Sequence, residues 1–148
     1  MKVRRQILVA VILTFFALPV ARSQESVAEL WKRMNYTQQM LFIKGFHAGI
    51  GAFEGQKDSE FVNQLTAIGF FSEPKMDDWY PMIHKINGFY SQPKNDFIPL
   101  SMPVFLSIAF VKGIPQGKMQ SILTKGGGPE VVKDFYESKS VVLIAPAK

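Results

Sequence analysis

The chain has 148 residues, 47% of them hydrophobic, no cysteine, and 17 basic against 12 acidic side chains, for a formal net charge of +5. The lack of cysteine excludes a disulfide framework, thiol chemistry and a lipidated cysteine anchor. Four of the basic residues (Lys2, Arg4, Arg5 and Arg22) stand before the export cleavage point argued next and no acidic one does, so the remainder carries +1, too little for the basic face a nucleic-acid partner requires.

Residues 1–23 have the three parts of a cleavable secretory signal: the cations Lys2, Arg4 and Arg5, an apolar run over 7–18 broken only by Thr14, and the small residues Ala21 and Ser23. A membrane-spanning helix needs ~20 apolar residues, and Pro19 and Arg22 end this run sooner. Cleavage near Ser23 is expected, giving a secreted or periplasmic protein with no membrane span after processing. The remaining roughly 125 residues are enough for one domain to hold together by its own core.

Ser26 and Glu29 have the spacing of a capping box, and Val27, Leu30, Trp31 and Met34 follow at helical period, so a short first helix should bury Trp31. Thr37 is placed to cap a second helix running to about Glu54. Its apolar residues (Met40, Leu41, Ile43, Phe46, Ile50 and Phe53) go most of the way round, the pattern of a central, largely buried helix. Gly45, Ala48, Gly49 and Ala52 gather on one side, where another helix could cross closely or a ligand be admitted. Asp58 or Ser59 opens a third helix burying Phe61, Val62, Leu65 and Ile68 and ending near Gly69.

A fourth helix is expected from Asp77, with Pro81 tolerated in its first turn and Trp79, Ile83, Ile86 and Tyr90 inward. A turn-forming stretch over 91–96 separates it from a fifth, capped by Ser101, carrying Val104, Phe105, Ile108 and Val111, and ended by Gly113. Short helices over 118–124 and 129–137 then flank a glycine run at 126–128. Residues 141–144 form an apolar tail too short to classify by period. The expected organisation is a signal peptide at 1–23, an all-α single-domain bundle of about five helices at 24–125, and a C-terminal appendage at 126–148.

Trp31, Gln39, Lys44, Gly45, Phe46 and Gly49 form a W…Q…KGF…G pattern, and Phe89, Tyr90, Asn95, Ile98, Pro99, Lys112 and Gly113 form an FY…N…IP…KG pattern. Together they resemble a group of small exported bacterial helical proteins of unknown function, over residues 31–113. More distantly, the layout is similar to the periplasmic immunity proteins that neutralise cell-wall amidase effectors. Those proteins carry paired cysteines and this chain has none. The first resemblance implies an exported bundle; the second implies an inhibitory partner of an envelope enzyme.

Catalytic motifs are sparse. There is no Gly-x-Ser-x-Gly nucleophile elbow, the glycine run lacks the Lys-Ser/Thr of a phosphate loop, and Asp77 with Asp78 reads as a helix start rather than a glycosidase pair. His47 and His84 lie on different expected helices with no shared metal-ligand spacing. No cofactor, metal or catalytic residue is assigned. The candidate binding residues are Lys44, Gly45, His47, Gly49, Tyr90 and Asn95; ordinary structural roles would suffice for Tyr90 and Asn95, less well for Lys44 in an otherwise apolar helix. The leading expectation is a non-enzymatic binding protein of the cell envelope with a protein partner, as an inhibitor or immunity-type protein in its most specific form. The alternatives are a carrier whose apolar ligand lies between the second and fifth helices, and a metal-dependent hydrolase using His47 and His84.

Overall fold

The first three helix starts are fixed by local capping chemistry, as a computed structural model describing residues 25–56, 59–124 and 127–143 makes explicit. The expected signal peptide at 1–23 lies outside these described residues. Among them there are seven α-helices and no strand: α1 Val27–Arg33, α2 Tyr36–Gly51, α3 Glu60–Ala67, α4 Trp79–Phe89, α5 Ser101–Val111, α6 Gln116–Ile122 and α7 Gly128–Glu137. Short 3₁₀ turns at Met76–Asp78 and Pro93–Asn95 precede and follow α4.

The capping box of α1 forms as expected, with Ser26 Oγ accepting from the Glu29 amide at 3.2 Å and the Glu29 carboxylate accepting from the Ser26 amide. For α2 the cap is Asn35 rather than Thr37. Its side chain accepts from the Gln38 amide at 3.0 Å while Gln38 accepts in return from the Asn35 amide at 2.9 Å, so the helix begins before Thr37. Ser59 caps α3. Ser101, expected to cap α5, instead lies inside it with its hydroxyl buried and unbonded, and Leu100 occupies the cap position. Gly69 and Gly113 adopt positive φ after α3 and α5, where the next amides, of Phe70 and Ile114, bond back to Leu65 and Ala109.

The central pair is α4 and α5, which make the most extensive helix contact with α6 and α7 beside them. From α4 come Trp79, Met82, Ile83, Ile86 and Phe89; from α5 come Val104, Phe105, Leu106, Ile108 and Ala109, all buried. Residues 126–148, expected as an appendage, supply Val132 and Phe135 to this same core through α7. The second helix differs from expectation more sharply. Only Gln39 and Ile43 of α2 are buried, while Leu41 is 59% and Phe42 39% exposed, so α2 lies on the outside of the bundle.

Buried polar contacts tie the two ends of the described chain to α4. Trp31 Nε1 donates to Asn87 Oδ1 at 2.8 Å, and Asn87 Nδ2 donates to the carbonyl of Val141 at 3.1 Å. The Val141 amide donates to the carbonyl of His84 at 2.8 Å. Lys85 Nζ donates to the carbonyls of Tyr136, at 3.0 Å, and Ser138. Its ammonium also lies 4.8 Å from the centre of the Phe110 ring, and burial pushes its pKa down from the ordinary lysine value. Thus the start of the 141–144 tail is anchored, whereas Val142 and Leu143 are exposed and Ile144 lies outside the described residues.

The last 3.6-period turn of α4 contains Gly88, and a methyl group there would overlap the carbonyl of Lys139. This backbone-on-backbone contact leaves no room for a side chain at Gly88 and offsets the entropic cost of a glycine in the last turn of the helix. Replacing Gly88 by Ala should displace residues 139–141 and lower stability by about 1–3 kcal/mol, the cost of overpacking a filled site. Urea denaturation measures it; an unchanged or raised midpoint would show that the segment does not sit against α4.

Candidate functional site

The chemistry on offer starts with α2, because its position at the surface leaves a face that no other helix covers. Leu41, Gly45, Ala48 and Ala52 recur at intervals of four, three and four, the spacing of a helix-packing seam, with Phe42 and Gly49 beside them. All six are exposed. A Cβ built on Gly45 or Gly49 would meet nothing within 4 Å. The close helix crossing expected at these glycines is therefore not made within the molecule, nor do they floor a cavity between α2 and α5.

Lys44 is the one charged side chain in α2. Its ammonium lies 5.0 Å from the centre of the Trp79 ring, a cation–π contact that turns the charge toward α4. The sequence left this lysine without a role; the ring from the next helix pair supplies one. Its departure from the seam leaves the exposed surface of Leu41, Phe42 and the small residues without a fixed charge.

His47 projects from the other side of α2, half-buried, with Nε2 out of contact with solvent and without a hydrogen-bond partner. Desolvation is the largest cause lowering its pKa, followed by the Lys112 ammonium, while the Ser72 backbone and Glu73 oppose the shift. The imidazole is thus held neutral beside the loop after α3. His84 has a different setting, with its ring 6.3 Å from that of Tyr80 and its carbonyl engaged by Val141. Among the described residues no group of three His, Cys, Asp or Glu side chains comes together to hold a metal ion.

Tyr90 and Asn95 are not surface recognition groups. Tyr90 is fully buried and donates its hydroxyl proton to the carbonyl of Ile98 at 2.8 Å; burial pushes its pKa strongly upward. Asn95, also buried, donates from Nδ2 to the carbonyl of Phe89 at 2.9 Å. Together they close the loop from α4 to α5, Tyr90 by pairing the Ile98 carbonyl and Asn95 by adding a second bond to the Phe89 carbonyl, which also accepts from the Gln92 amide. The six candidate residues therefore divide: Gly45 and Gly49 on the outer face of α2, Lys44 at its flank, His47 behind it, and Tyr90 and Asn95 inside the bundle.

Sequence reasoning assigned Leu41 to a buried position and did not single out Phe42. The signal for their exposure is faint, since apolar residues surround the whole helix and leave its amphipathic direction undefined. Ser72 and Lys112, which meet below α2, were also missed as a pair, being far apart in the chain. No helix among the described residues is long and apolar enough to cross a membrane. Comparison with known protein families, curated proteins and solved structures finds no match for the chain.

Because neither glycine is packed against the rest of the protein, Gly45→Ala and Gly49→Ala should each stabilise the isolated protein by about 0.5–1 kcal/mol through helix propensity alone. Thermal and urea unfolding of the two variants check this. A loss of stability in either would place that glycine against an internal neighbour and return α2 to the core.

Proposed function

We propose that this protein is a non-enzymatic binding protein of the bacterial export compartment that takes a protein partner on the outer face of α2. The observation that carries the reading is the uncovered seam of Leu41, Gly45, Ala48 and Ala52 with Phe42 and Gly49 alongside. A helix face turned only to water is ordinarily polar. Here two glycines cost up to about 1 kcal/mol each relative to alanine, and no internal contact offsets that cost. A partner backbone approaching the glycines would do so, with Leu41 and Phe42 as the bulky anchors at one end.

The partner chemistry that fits is an apolar helix or loop whose large side chains fill the shallow strip over Gly45, Ala48 and Gly49. Contiguous exposed apolar surface of this kind marks protein interaction sites. The resemblance to immunity proteins suggests an inhibitory partner of an envelope enzyme as the specific form. The carrier reading has less support, since the glycine face it required is turned outward.

Native mass spectrometry of the exported protein, purified gently from its host, tests this proposal together with an Ala48→Glu variant. The expected result is a co-purifying protein that is lost, at least tenfold in occupancy, from Ala48→Glu while the melting temperature is unchanged. A bound species of lipid mass, or a protein retained equally by the variant, would overturn the reading.

A further inference from the structure

Below α2, the loop joining α3 to the Met76–Asp78 turn meets the C-terminal end of α5 around an open cleft of about 400 Å³. Ser72, Glu73, Lys75, Asp78 and Lys112 bring all the ionisable and nucleophilic groups of its lining. Lys112 Nζ lies 2.6 Å from Ser72 Oγ and also donates to the Ser72 carbonyl. Ser72 Oγ in turn donates to the carbonyl of Gly69 at 2.9 Å, and Ser72 is exposed. The contact on the Ser72 carbonyl alone would suffice to seat the lysine at a helix end. Nζ is the donor in its second contact too, on the serine hydroxyl, and that contact brings Nζ within proton-transfer distance of Oγ, the separation a nucleophile and its base require.

We propose that Ser72 is a nucleophilic acylation site, with Lys112 as its general base, open through this cleft to small activated carboxylic esters. This goes beyond the α2 binding face and does not depend on it, and it is a single acyl transfer onto the protein itself rather than a catalytic turnover. In the reacting state Lys112 is a neutral amine and the Ser72 hydroxyl turns from the Gly69 carbonyl to donate to Nζ. Ser72 Oγ forms a bond to the ester carbonyl carbon, its proton passes to Nζ, and the bond from that carbon to the leaving oxygen breaks. Nζ returns the proton to the leaving group. The products are an acyl-Ser72 ester and a free alcohol or phenol, with no change of oxidation state.

The electrostatics agree with this geometry. Desolvation lowers the Lys112 pKa, and Asp78 opposes that by favouring the ammonium. The groups facing Lys112 are Asp78, Glu73 and Lys75 from the cleft and His47 from α2. A neutral His47 adds no competing positive charge. A nearby base contributes typically ~10²–10⁴-fold to such a step.

The test is incubation of the exported protein with p-nitrophenyl acetate, following p-nitrophenolate release and mapping acetylation by mass spectrometry. The expected result is one acetyl group on Ser72, abolished in Ser72→Ala and slowed by about 100-fold in Lys112→Gln, within the range for removing a general base. Lys112→Arg keeps a cation beside Ser72 but supplies no base, so it should be slowed similarly with unchanged thermal unfolding. The rate should rise with pH along one titration, and Asp78→Asn should move its midpoint downward. Acetylation confined to lysines, equal Ser72 rates in the lysine variants, or no acetylation of Ser72 would overturn the proposal.

Discussion

One buried carboxamide, that of Asn87, connects α1, the central helix α4 and the segment after α7. It accepts from the Trp31 indole of α1 and donates to the Val141 carbonyl near the end of the described chain, while its backbone belongs to the central helix α4. Both functions of the amide are used, which is the condition under which a buried polar side chain stabilises rather than costs. The indole is fully buried, so α1 is placed by a directional bond as well as by apolar area. Gln39 extends the arrangement by donating from Nε2 to the Trp31 carbonyl at 3.0 Å, which fixes the angle between α1 and α2.

Placement of α2 at the surface follows from that arrangement. The core formed by α4, α5 and α7 is already filled by side chains such as Met82, Phe89, Leu106 and Phe135. α2 reaches it through Ile43 and Gln39, with half-buried residues including Met40, Phe46 and Ile50 alongside. Its opposite face, small and apolar, is left uncovered by the fold. The Ser72 and Lys112 pair lies beneath the other side of the same helix, behind His47, so a partner on α2 and a small molecule in the cleft would address different surfaces.

Local features were readable from the sequence because their causes lie within a few residues. Ser26 and Glu29, the inward set Trp79, Ile83, Ile86 and Tyr90, and the glycines after α3 and α5 all stand as the spacing implied. The all-helical class follows from them. The exposure of α2 was not readable, because its apolar residues encircle the helix and periodicity then gives no direction. Neither was the anchoring of the C-terminal segment, since Lys85 and Asn87 find their partners more than 50 residues away. Among the candidate site residues, Asn95 bonds turn backbone as its composition suggested, whereas Lys44 needed the Trp79 ring from another element before its position made sense.

The account rests on Asn87 holding both ends of the described chain to α4, and the most direct measurement is amide and indole hydrogen exchange in the wild type and Asn87→Leu. The variant removes both hydrogen bonds at similar size, leaving the buried Trp31 N–H unpaired at a cost of about 1–3 kcal/mol and releasing the half-buried Val141 carbonyl. Protection should fall at the Trp31 indole, through α1 and at the Val141 amide together, while the α5 amides from Phe105 to Ala109 keep most of theirs. Loss confined to one end, or equal protection in both proteins, would contradict the claim that a single side chain joins them.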